Sequence, residues 1–96
     1  MKAGNDAILK DILKDFLESP SIRPRYNQLR VSEAWNAVVG TTAASYTKSV
    51  RLRDEEVTIE IESAPLRQEF LFRKVELLRL LNQKLGEELV KTIEIL

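Results

Sequence analysis

The sequence predicts one small α+β domain with the element order α-α-β-β-α-β, in which a three-stranded sheet packs against a long helix and an extra helix precedes the whole. Three observations carry this. Val57, Ile59 and Ile61 alternate strictly with Thr58, Glu60 and Glu62, the period of a half-buried strand. Apolar residues recur at helical spacing from Ile8 to Leu17 and from Leu66 to Leu85. The 96 residues, 44% hydrophobic and 31% charged, suit one folded core and are too few for two.

Asn5 or Asp6 is expected to cap the first helix, whose Ile8, Leu9, Ile12, Leu13, Phe16 and Leu17 share one side and whose end falls near Ser19. Pro20 and Pro24 disfavour helix across residues 19–24. Residues 1–22 therefore read as an amphipathic arm with its connector, and residues 23–96 as the domain proper. From about Arg25 a second helix groups Tyr26, Leu29, Ala34, Trp35 and Val38, and Gly40 ends or kinks it before a further turn over 41–46.

Val50 and Leu52 alternate with Ser49, Arg51 and Arg53, and a tight turn at Asp54 and Glu55 pairs 52 with 57 and 50 with 59. That register sets Arg53 opposite Glu56 and Arg51 diagonal to Glu56 and Glu60, within reach of ion pairs. Ser63 caps and Pro65 opens the long helix, which runs to about Leu85 and stops at Gly86. One seam holds Leu66, Phe70, Leu77 and Leu81, a second Leu71, Val75, Leu78 and Leu85, with Arg67 and Lys74 between them. Phe72 and Leu80 fall outside both and mark a contact with the first helix or with another chain. Val90 to Leu96, with Ile93 and Ile95 on one side, closes the sheet.

Cysteine and histidine are both absent, which removes disulfides, thiolate metal sites, nucleophilic thiols and the commonest general base. Glu60 and Glu62 point outward from a strand and read as solvated, and Asp54-Glu55-Glu56 is too compact for a calcium loop. No enzymatic activity, cofactor or small-molecule substrate is expected. No apolar run approaches the roughly 20 residues that cross a bilayer, and residues 1–10 lack a signal's apolar centre, so no membrane association and a cytoplasmic address are expected.

Fifteen basic residues balance fifteen acidic ones, yet the charges are segregated. Residues 23–53 carry +5 and residues 54–62 carry −5. Arg23, Arg25, Arg30, Lys48, Arg51 and Arg53 are the candidate phosphate contacts, joined by Arg67 and Lys74. The alternative for the same residues is a solvated surface with hairpin ion pairs. Trp35 is a candidate for base stacking, but its spacing with Leu29 and Val38 favours the core. Gly40-Thr41-Thr42-Ala43 matches half of a GxxG backbone clamp and lacks the second glycine.

The ordered stretches Ala34-Trp35-Asn36-Ala37-Val38-Val39-Gly40, Ser63-Ala64-Pro65-Leu66-Arg67-Gln68-Glu69-Phe70, Leu81-Asn82, Leu85-Gly86 and Val90 to Ile95 give residues 31–96 a resemblance to the DciA family of bacterial proteins. The resemblance implies a KH-like fold and binding to the replicative helicase and to DNA, or RNA, in support of helicase loading. Many members carry a basic flexible extension, whereas this chain ends at Leu96 without net charge, so weak, salt-sensitive nucleic-acid affinity is expected. The runner-up is a homodimeric interaction module using Phe72, Leu80 and the first helix, without nucleic acid.

Overall fold

The computed structural model describes residues 3–96, with side chains from Asp6 onward. The order is α1 (Ala3–Leu17), α2 (Arg23–Ser45), β1 (Thr47–Arg53), β2 (Glu56–Ile61), α3 (Ala64–Phe72), α4 (Lys74–Leu85) and β3 (Thr92–Ile95). This is the α+β arrangement the sequence predicts, with two departures. Helix α1 is already formed at Ala3, so Asn5 and Asp6 lie within it and neither caps it. The long helix is broken at Arg73 (φ −109°, ψ 20°), which ends α3 and starts α4.

Strand β2 is central, antiparallel to β1 and parallel to β3. The expected register is present: Leu52 faces Val57, Val50 faces Ile59, and Arg53 faces Glu56. Ile93 and Ile95 extend the same row from β3. Because side chains alternate across a strand, this register sends every apolar residue of the hairpin to one face, where the helices lie. The opposite face, with Arg51, Arg53, Glu56, Thr58, Glu60 and Glu94, has no buried residue and no second layer among the described residues.

The core joins Val31, Ala34 and Trp35 of α2 to Val57, Ile59 and Ile61 of β2, Phe70 of α3, Leu77 and Leu81 of α4, and Val90, Ile93 and Ile95 near the end. Trp35 is fully buried, stands edge-on to Phe70 with ring centroids 5.3 Å apart, and donates from Nε1 to Thr47 Oγ1 at 3.0 Å. It is therefore a core residue, unavailable for base stacking. Phe70, Leu77 and Leu81 of the first seam are buried, and Leu66 packs partly buried against them. The second seam is only half realised: Leu78 and Leu85 pack against the core, but Leu71 and Val75 are exposed on either side of the Arg73 break.

Helix α1 leaves the rest of the molecule. A compact chain of this length has a radius of gyration of about 12–13 Å, whereas this one reaches 15.9 Å with a long dimension of 53 Å. Phe72 is 79% exposed, so α1 does not cover it, and Leu80 is only half-buried by its own domain.

Gly40 kinks α2 at φ 88° and ψ 170°, a backbone region essentially restricted to glycine. An added Cβ would meet nothing within 4 Å, so the constraint is the dihedral rather than space. Gly40→Ala is expected to cost about 1–3 kcal/mol in a denaturant titration, with no local repacking to relieve it. Gly86 closes α4 at φ 80°, its N–H bonded to the Asn82 and Gln83 carbonyls, as an αL cap does.

Candidate nucleic-acid interface

An exposed strand edge presents free backbone groups, and β1 is such an edge. Gln28 of α2 covers part of it. Its Nε2 donates to Val50 O at 2.7 Å while its Oε1 accepts from Leu52 N–H at 2.8 Å, so one side-chain amide takes the place of a neighbouring strand. Nε2 also lies 3.1 Å from Ser32 Oγ. Since Trp35 bonds Thr47 further along, α2 runs antiparallel to β1, and Arg25, one turn before Gln28, falls toward the Arg53 end. A shallow depression lined by Gln28, Arg51, Leu52, Arg53, Glu56 and Thr58 lies along this edge.

The eight candidate cations separate by environment. Arg25, Arg51 and Arg53 are exposed and form no ion pair among the described residues. Lys48 lies 3.6 Å from Glu60, so the cross-strand pair anticipated for Arg51 or Arg53 is made by Lys48 instead. Arg30 is tied inward: it contacts Glu87 at 2.8 Å, donates to Leu85 O at 3.0 Å and to Asn27 Oδ1 at 3.2 Å, and lies over the Tyr26 ring. A cation bonded to a terminal helix carbonyl suits the negative end of α4, and this one has its donors committed there. Arg23 borders a depression with Asp54, Glu55, Glu87 and Glu88, where carboxylates outnumber it. Arg67 donates to Ile61 O at 2.8 Å, and its Nε is buried without a partner. Lys74 opens α4, far along the chain from the β1 edge.

The remaining motif residues have structural tasks. Val38 and Val39 pack against the core beside the Gly40 kink. Asn82 forms a second amide clamp, with Nδ2 donating to Val90 O at 2.7 Å and Oδ1 accepting from Val90 N–H at 3.0 Å, which fixes the chain where it enters β3. Thr41 and Thr42 are exposed after the kink. Gln28 and Ser32 escaped the sequence reading because a glutamine four residues before a serine on a helix carries no signal for a strand edge 22 residues away.

A two-layer α+β domain results, with an arginine-bearing strand edge, an apolar helix standing free and no cluster of metal-ligating side chains among the described residues. Its exposed features are open surfaces rather than an enclosed cleft. A family model described as "Dna[CI] antecedent, DciA" matches residues 8–95, and the chain belongs to the DciA family. The match takes in α1 from Ile8 onward as well as residues 31–95. The family is one of accessory proteins connected with loading of the replicative helicase, and not a known catalytic family. No curated protein and no solved structure matches the chain. No helix among the described residues is long and apolar enough to cross a membrane.

Proposed function

We propose that the protein is a non-enzymatic accessory domain that binds the replicative helicase directly and holds single-stranded nucleic acid weakly along the β1 edge. Residues 23–96 form the working unit in this reading, and residues 1–22 an arm. Family membership supports the helicase half. The nucleic-acid half rests on one observation: Gln28 brings the start of α2 alongside β1, so that Arg25 lies toward Arg53, with Arg51 on the same edge strand.

Three phosphate contacts give a shallow salt dependence. With roughly 0.7 counterions released per contact on a single strand, binding should weaken about 20-fold between 50 and 200 mM salt. A fluorescence titration with labelled single-stranded DNA at both concentrations measures this, and Arg51→Ala with Arg53→Ala should flatten the dependence to that of about one contact. Unchanged binding in that double variant would move the site elsewhere. No binding at low salt would remove the nucleic-acid half and leave an interaction module, the reading that the exposed apolar residues of α1 and Phe72 favour.

A further inference from the structure

Strand β3 is the other edge of the sheet. The N–H groups of Thr92 and Leu96 bond the Glu55 and Ile59 carbonyls, and the Leu96 carbonyl accepts from Ile61 N–H, so these residues turn inward to β2. Alternate residues of a strand point their backbone groups to opposite sides, which sends the N–H and C=O of Ile93 and Ile95 to the outer edge. No protein group bonds any of these four among the described residues, although both residues are nearly buried and backbone groups in that setting are almost always paired. At the β1 edge Gln28 takes up the Val50 carbonyl and the Leu52 N–H, and Asn82 does the same for Val90 just ahead of β3. We infer that the β3 edge receives an extended peptide segment of a partner protein as a fourth strand, antiparallel to β3.

In that pairing the two peptide residues opposite Ile93 and Ile95 each exchange both hydrogen bonds with them, and the residue between stands opposite Glu94. Alternation puts the two flanking side chains on the side of Ile93 and Ile95, toward α4, and the middle one on the open face beside Glu94. The flank of α4 is apolar there: Val75, which is 84% exposed, and Leu78 line a groove with Asn82 and Val90. Glu94 is exposed and forms no ion pair among the described residues, so a basic side chain opposite it is favoured and an acidic one disfavoured. The segment that fits is apolar, basic, apolar in order.

The same register disfavours a second copy of this chain. Within residues 91–96 one two-fold register pairs all four groups, with Ile93 of each copy on Ile95 of the other, and it sets Glu94 directly opposite Glu94, like charge on like. Bringing Ile93 onto Ile93 instead sets Lys91 opposite Ile95, and the Lys91 N–H is already bonded to the Glu55 carbonyl at 2.7 Å.

NMR titration of the isotope-labelled full chain with a short blocked peptide, Val-Lys-Val flanked by threonines, tests the docking. The Ile93 and Ile95 amide signals should shift and their hydrogen exchange should slow. A Val-Glu-Val counterpart should bind about fivefold more weakly, and Glu94→Lys, which removes no core contact, should reverse that preference. N-methylation of either valine should abolish binding, whereas N-methylation of the central lysine, whose N–H points away from β3, should be tolerated. The Arg51→Ala, Arg53→Ala variant should bind the peptide as the unmodified chain does, which separates this edge from the proposed nucleic-acid one. No protection of Ile93 and Ile95 by either peptide, or an unchanged preference in Glu94→Lys, would overturn the proposal. So would protection of these amides by single-stranded DNA alone or by self-association alone.

Discussion

Trp35→Ala is expected to remove about 3–5 kcal/mol of stability, the range for truncating a buried aromatic. Trp35 is at 0% exposure, meets Phe70 edge to face, and its indole N–H is satisfied by Thr47. The substitution empties the junction of α2, α3 and the start of β1 at once. A domain of this size has a total stability on the order of 5–14 kcal/mol, so the variant should lie at or near the unfolding limit. Trp35→Phe separates the contributions. It keeps a ring beside Phe70 and loses the hydrogen bond, while Thr47 Oγ1 still donates to Ala43 O at 3.2 Å, so it should retain most of the stability. Urea titrations of the three proteins measure the difference. Equal losses for alanine and phenylalanine would show that the hydrogen bond, not the packing, dominates.

Asn82→Ala should follow, at about 2–5 kcal/mol. The amide bonds both the N–H and the C=O of Val90, which is 1% exposed, and an unsatisfied buried backbone group costs about 1–3 kcal/mol. The groove beside Val75, Leu78, Asn82 and Val90 opens to solvent, and a water entering there would bring the loss to the lower end. Asn82→Asp keeps the acceptor for Val90 N–H but turns a carboxylate oxygen toward the Val90 carbonyl, and should cost at least as much as alanine. Because the clamp fixes the approach to β3, hydrogen exchange at Ile93 and Ile95 should accelerate before that of the β1 and β2 hairpin.

Local chemistry was legible where a single element decides it. Alternation from Val57 to Ile61 and from Val50 to Leu52 set the hairpin register, because a slip by one residue would turn the apolar row to the solvent face. Gly40 and Gly86 were readable as backbone breaks because each adopts a positive φ. The break at Arg73 was not. Helical periodicity continues through it, and the residue's ion pairs with Glu69 and Glu76 look the same in sequence as those of an unbroken helix. The candidate site was legible only in composition. Which arginines remain free depends on contacts across the chain, above all that of Arg30 with a carbonyl 55 residues away, and the placement of Arg25 depends on Gln28 reaching β1.

The same long-range placement explains why the free residues do not form one uniform basic face. The sheet's open side mixes Arg51 and Arg53 with Glu56 and Glu94, and the remaining Glu60 is engaged by Lys48. Arg23 borders a depression that Asp54, Glu55, Glu87 and Glu88 also line. The proposed nucleic-acid affinity is therefore modest, and the proposed helicase contact is the principal one.

The most direct measurement of that claim is capture of the cognate replicative helicase on the immobilised full chain, with the Arg51→Ala, Arg53→Ala variant run beside it. Both proteins are expected to retain the helicase, with single-stranded DNA binding weakened only in the variant. Failure of the unmodified chain to retain the helicase would contradict it.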